Sequence, residues 1–149
     1  MTEFRIKNYE LRVVGCADLE LRIIAMSDFG KMIDEKCLMF AARIVNLCRF
    51  LDSEKKGKHI IDQIMRSGMS IGANYSEAEC AISDNDFVAK LYISLKECNE
   101  TLYWLRLLRK INDLDEKLFC SISDDGEEIK RLLVSIIKTK RKNMSENNS

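Results

Sequence analysis

A chain of 149 residues with 46% hydrophobic and 32% charged side chains suits one domain with a buried core and excludes an intrinsically disordered protein. Its 24 Lys and Arg balance 24 Asp and Glu, so the formal net charge is zero. That balance counts against a nonspecific nucleic-acid binder, whose affinity rests on neutralising phosphates, but leaves room for a basic patch offset by acids elsewhere.

Residues 1 to about 30 do not share the helical pattern of the remainder. Phe4, Ile6, Leu11 and Val13 loosely alternate with charged residues, as do Leu19, Leu21 and Ile23, with Gly15 between the groups. The pattern is that of a weak strand-turn-strand. Two readings stand side by side: an upstream extension with no folded role, for which Met26 or Met32 offers a later start, or an extra hairpin that packs on a ring of subunits or on a partner. From about Met32 to Leu51 the apolar stripe Ile33, Cys37, Phe40, Ala41, Ile44, Leu47, Cys48 and Leu51 predicts the first helix, with Ser27 or Asp28 as its entry cap. No proline occurs anywhere in the chain, so no ring interrupts a helix by removing an amide donor.

A polar loop, DSEKKGK, leads into a second helix at about His59. Ile61, Ile64, Gly68, Ile71, Tyr75, Ala78 and Ile82 recur there at alternating spacings of three and four. Phe87, Leu91, Ser94, Cys98, Thr101, Leu105 and Leu108 do the same in a third helix, and these two series read as the seam of an antiparallel hairpin. Ser83 followed by Asp86 has the form of an N-cap with an acid in the first turn, an Asp variant of the capping box. After Ile111, NDLD starts a fourth helix near Asp115, whose buried face holds Leu118, Ile122, Ile129, Leu132, Leu133, Ile136 and Ile137. The run SDDGEE puts Asp125 on the expected seam with Gly126 beside it, where glycine costs about 1 kcal/mol relative to alanine. A bend or break is therefore predicted there, and a disordered tail from Met144. Short connections favour up-down topology. The fold class predicted is an all-α, up-down antiparallel four-helix bundle spanning residues 31–143, with a non-bundle N-terminal extension.

SIGANYSEA, followed by DFVAKLYISLKECNETLYWLRLL, carries a resemblance. These segments resemble the bacterial four-helix-bundle family of 23S rRNA-intervening-sequence proteins, to which the accessory proteins of diversity-generating retroelements are related. The similarity runs from about Glu35 through Lys142. It implies an up-down bundle that assembles into a ring, a pentamer, with nucleic-acid or ribonucleoprotein association and no catalytic site.

Polar residues on the hairpin fall into a ladder. With a turn near Ser83 to Asn85, antiparallel register places Arg66 near Glu100, Ser70 near Glu97, Asn74 near Ser94 and Glu77 near Lys90. The favoured reading is that these residues set register and assembly. A contact surface for RNA or another subunit is the alternative. Gly68 and Gly72 form a GxxxG pattern, read here as letting a neighbouring helix approach closely. Trp104, beside Tyr103, is a candidate for covering the bundle or anchoring a subunit interface, with base stacking as the minor alternative. The basic positions are Lys130 and Arg131, then Lys138, Lys140, Arg141 and Lys142 at the end of the fourth helix, and Arg106, Arg109 and Lys110 at the end of the third. Cations in a last turn oppose the helix dipole; the functional alternative is a phosphate-contacting rim repeated by symmetry. In up-down topology Arg106 to Lys110 and Lys138 to Lys142 lie at opposite ends, as two patches rather than one stripe.

Nothing in the chain points to catalysis or a cofactor. A di-iron bundle needs inward glutamates and ExxH pairs, and the single histidine, His59, opens a helix instead. No Walker or dinucleotide motif occurs. Of the six cysteines, five fall in predicted helices, and no pair is spaced CxxC. Free thiols, no signal peptide and no long apolar run lead to the expectation of a reduced, cytoplasmic protein that neither spans nor binds a membrane. The function expected is a non-enzymatic homo-oligomer that supports nucleic-acid or ribonucleoprotein function through repeated weak contacts. The competing expectation is a protein-interaction scaffold that binds no nucleic acid.

Overall fold

The computed structural model describes residues 18–147, with side chains over 28–146. Four helices follow one another: α1 Asp18–Ser53, α2 Lys58–Glu79, α3 Asp84–Lys110 and α4 Glu116–Asn147. Among the described residues there is no strand. The chain divides into two compact units, Met1–Met32 and Ile33–Ser149. The first is helical from Asp18 onward, and the second is the up-down antiparallel four-helix bundle.

Leu19, Leu21 and Ile23 therefore lie in α1 and not in a strand, and Ser27 and Asp28 are interior helical residues instead of caps. Gly30 is the one glycine in α1 and no proline is present, so a helix nucleated on the packed stripe propagates backward at little cost. An alternation of only three residues competes poorly with that. The remaining alternating positions, Phe4 to Val13, lie outside the described residues.

The apolar seams close on one another. Ile33, Phe40, Ile44 and Leu51 of α1, Ile64 and Ile71 of α2, Leu91, Leu105 and Leu108 of α3, and Ile122, Ile129 and Leu133 of α4 are fully buried. Each contributes about 1.5–3 kcal/mol relative to exposure. Ala41 of the α1 stripe and Leu118, Leu132 and Ile136 of the α4 face are only partly buried, and two positions of the hairpin seam differ from the expectation. Ile82 lies past the end of α2 in the interhelical turn and is almost wholly exposed, and Val88 takes the depth expected of Phe87.

Glycines set how closely the helices meet. A Cβ on Gly68 would stand 2.7 Å from Ile44 Cγ2, and one on Gly72 would stand 3.2 Å from Cys37 Cβ, so the GxxxG pattern does bring α1 against α2. Gly126 does the same for α4. It is buried on the seam itself, where an added Cβ would stand 2.9 Å from Leu102 Cδ2 and 3.3 Å from Phe40 Cζ. The helix runs through it unbroken, correcting the expected break, and the close approach accounts for a residue without a side chain at this position. Asp125 turns instead to the α1 side, where Arg43 pairs with it and donates to Ser121 Oγ at 2.8 Å. Lys36 and Glu128, 3.1 Å apart, add a second α1–α4 pair. The tail also departs from expectation: α4 continues to Asn147, supported by Ser145 Oγ donating to the Lys142 carbonyl (2.7 Å) and by the Lys142–Glu146 pair one turn apart.

The connections are built from capping chemistry. Ser83 accepts from the Asp86 amide at 3.1 Å, and Asp86 accepts from the Ile82 amide at 3.2 Å, one residue earlier than a capping box would have it. Asp115 caps α4 by accepting from Leu118 N at 3.0 Å. At the opposite pole from the Ser83 turn, α1 and α3 both end in Schellman motifs. Lys55 (φ 53°) and Asn112 (φ 63°) take the left-handed position. The next amides, of Lys56 and Asp113, reach back to the carbonyls of Leu51 (3.0 Å) and Leu108 (2.9 Å). Those two following residues then join across the pole, with Lys56 Nζ 3.1 Å from Asp113 Oδ1.

Candidate nucleic-acid interface

The hairpin ladder holds its charged ends and rearranges in the middle. Arg66 pairs with Glu100, as register demands, and also with Glu97 at 3.2 Å; Lys90 pairs with Glu77. The Arg66 guanidinium holds the Glu100 carboxyl below the usual carboxylate range, helped by the Trp104 indole donating to it at 3.2 Å. Ser70 and Asn74 do not bridge the helices. Ser70 Oγ donates to the Arg66 carbonyl (2.7 Å) and Asn74 Nδ2 to the Ser70 carbonyl (2.8 Å), because short polar side chains on a helix reach their own carbonyls one turn back first. Ser94 does cross, donating to the Ile71 carbonyl at 2.8 Å. A further rung, absent from the expected ladder, is fully buried: Ser67 and Thr101 hydroxyls meet at 2.9 Å, with Ser67 also donating to the Gln63 carbonyl at 2.8 Å. The register that joins Arg66 to Glu100 also brings Ser67 beside Thr101, so the signal for it stood in the sequence.

Trp104 sits against this ladder, partly buried, its ring edge-on to Tyr103 with centroids 5.0 Å apart. Fixed by Glu100 and Tyr103, it forms part of the outer hairpin surface. Tyr103 is about half exposed, and along α1 Leu38, Met39 and Phe50 are each more than half exposed.

The two basic patches lie at opposite poles. Lys140, 2.7 Å from Asp84 at the start of α3, also lies over the Phe87 ring at 5.7 Å; Arg141 donates to Tyr92 Oη at 3.0 Å. Three of the four C-terminal cations thus have partners within the bundle, and Lys138 is exposed. At the other pole, Arg109 pairs with Glu116 at the start of α4, and its guanidinium lowers the affinity of the Glu116 carboxyl for a proton. Arg106, Arg109 and Lys110 line one pocket together with Asn112, Glu116 and Phe119. Arg106 and Lys110 are exposed and form no ion pair among the described residues. The α3 stop puts these cations in the last two turns of the helix, and the Asn112 left-handed turn brings α4 back across them. Three cations facing one carboxylate make a concavity suited to anions.

The rest of the bundle offers less chemistry. Burial pushes the thiols of Cys37 and Cys98 up to about 12 and that of Cys48 up to about 11, so these behave as small hydrophobes. Among the described residues no cluster of His, Cys, Asp and Glu could hold a metal ion, and no helix is long and apolar enough to cross a membrane.

Comparison with known proteins gives this geometry its relatives. A crystal structure of a protein of unknown function from the S23 ribosomal protein family, from Bacteroides thetaiotaomicron, matches with a TM-score of 0.70 and 52% identity; the match covers 71% of this chain and 98% of that one. None of the curated proteins matches significantly. The family model described as 23S rRNA-intervening sequence protein matches residues 32–135, from the start of the bundle through most of α4. The chain belongs to the 23S rRNA-intervening sequence protein family.

Proposed function

We propose that this protein is a non-enzymatic, homo-oligomeric accessory protein that contacts nucleic acid through the pole formed by the end of α3 and the start of α4. One observation carries the reading: Arg106 and Lys110, without ion-pair partners among the described residues, share a single concavity with Arg109 on a chain whose net charge is zero. Lys36, Arg43, Arg66 and Lys90 are each paired with a carboxylate across helices, so they stabilise the bundle and offer little to an outside phosphate. The apolar side chains left exposed on α1 support self-association, and a symmetric assembly repeats the cationic pole once per subunit. Linked weak sites raise avidity by ~10²–10⁴ without any strong single site.

The test is fluorescence anisotropy with labelled RNA and DNA at about 50 and 200 mM salt, on protein whose mass is fixed by light scattering. Arg106→Ala/Lys110→Ala is compared with Lys138→Ala/Lys140→Ala/Arg141→Ala/Lys142→Ala. Binding that weakens steeply with salt and is lost mainly in the first variant supports the reading. Loss mainly in the second moves the interface to the other pole. A well-folded oligomer that binds neither nucleic acid at low salt refutes it and leaves the protein-interaction scaffold as the better account.

A further inference from the structure

The pocket at the α3–α4 pole contains an aromatic ring as well as cations. Contact with a duplex backbone needs only exposed Lys and Arg, because the faces of paired bases are covered by their neighbours in the stack. An aromatic side chain among phosphate-binding groups has a use when a base is unpaired. We infer that this pocket takes one unpaired nucleotide of a single-stranded segment, with its phosphate at Arg106 and Lys110 and its base against the Phe119 ring. The inference rests on the proposed function and deepens it.

Each lining residue has a part in this arrangement. Arg106 and Lys110 are four residues apart in α3, so they are neighbours on one face, roughly 5–6 Å between Cβ atoms, and can close on one phosphate from two sides. Arg109 is held by Glu116, which neutralises the one carboxylate lining the pocket and leaves the other two cations in excess. Phe119 arrives from the facing helix. Its amide bonds to the Asp115 carbonyl at 2.9 Å, which fixes the first turn of α4, and the ring is only partly buried. Asn112 is exposed at the turn, where its side-chain amide can both donate to and accept from a base edge.

The experiment compares a short labelled oligouridine and oligodeoxyuridine with a blunt duplex of matched phosphate number, using the full chain and the Phe119→Leu and Arg106→Ala/Lys110→Ala variants, each checked by thermal melting. The expected result is a preference for the single strands, about a tenfold loss of that affinity in Phe119→Leu with duplex binding and salt slope unchanged, and a flatter salt dependence in the cation variant. Equal affinity for single strand and duplex, with both indifferent to Phe119→Leu, overturns the nucleotide pocket while leaving phosphate contact at this pole intact. Failure of wild-type protein to bind any of the three probes overturns the pocket and the proposed function together. Preference for one sugar over the other, with the Phe119 effect retained, supports the pocket and assigns RNA or DNA as its source.

Discussion

Alanine at Gly68 should destabilise the bundle, although helix propensity alone says the reverse. In an exposed helix interior the replacement gains about 1 kcal/mol. At Gly68 the added Cβ stands 2.7 Å from Ile44 Cγ2, 3.0 Å from Cγ1 and 3.2 Å from Cβ. These atoms surround the branch point of a fully buried β-branched side chain, so no rotation of a flexible end relieves the clash. Overpacking of this kind costs about 1–3 kcal/mol, and a clash with three atoms tied to the backbone belongs in the upper half of that range. The net expectation is a loss of about 1–2 kcal/mol.

The other two helix-contact glycines supply an internal scale. At Gly126 the nearest atom is the end of Leu102, 2.9 Å away, which can move, so a net loss of about 0–1 kcal/mol is expected. At Gly72 the nearest atom is 3.2 Å away and the propensity gain should roughly cancel the strain, leaving a change within about 0.5 kcal/mol. Urea titrations followed by helical circular dichroism, at one fixed protein concentration, give the three values. Combining Gly68→Ala with Ile44→Ala isolates the clash: the double variant should recover about 2–3 kcal/mol relative to the sum of the singles, the clash without the propensity gain. A Gly68→Ala variant more stable than the parent, or a cycle with no coupling, would refute the claim that α1 and α2 meet through this glycine.

Lys55→Gly should stabilise the protein by about 0.5–1 kcal/mol, since Lys55 takes the left-handed position of the α1 Schellman motif (φ 53°) where glycine has no Cβ penalty; a lower urea midpoint contradicts this. Cys37, Cys48 and Cys98 should resist a thiol reagent until the protein unfolds, while exposed Cys80 reacts at once, which mass spectrometry of labelled peptides resolves. Glu100→Gln should cost at most about 1 kcal/mol at neutral pH, because Arg66 is half exposed and the pair is screened. Its pH dependence has a definite sign. The Glu100 carboxyl is depressed in the folded state, so its contribution is complete above the ordinary value of 4.5 and is lost as pH falls through the lower folded value; parent and variant should therefore converge in stability in acid. A gap that widens in acid would exclude the pair as its source.

Much of the fold was legible because hydrophobic spacing is a local signal that survives packing. The hairpin seam is the plain case: Ile61 through Ala78 and Leu91 through Leu108 occupy the core positions their spacing predicts. Register was legible too, since Ser83 fixes the turn and the turn fixes which charges face each other. What depends on which partner a short side chain reaches was not. Ser70 and Ser94 both stand in the expected cross-helix ladder, yet the seam residue Ser94 is fully buried and reaches across while the shallower Ser70 bonds its own helix. Gly126 read as a flaw because propensity counts only the helix that holds it, whereas its value lies in how near Leu102 and Phe40 can come. Phe119 carried no signal at all in isolation, because the pocket it completes exists only after α4 folds back over α3.

The neutral net charge then acquires a structural meaning. Lys36 with Glu128, Arg43 with Asp125, Arg66 with Glu97 and Glu100, and Lys90 with Glu77 set opposite charges along the contacts between adjacent helices. Composition averages these pairs together with the poles and returns zero. An approaching polyanion senses instead the charges within about a Debye length, roughly 8–10 Å, and at the α3–α4 pocket Arg106 and Lys110 stand without ion-pair partners among the described residues. A protein of this construction should bind nucleic acid weakly and locally per subunit. Neutralising Arg106 and Lys110 should therefore remove binding while leaving stability nearly untouched, because neither takes part in the ion pairs that join the helices among the described residues.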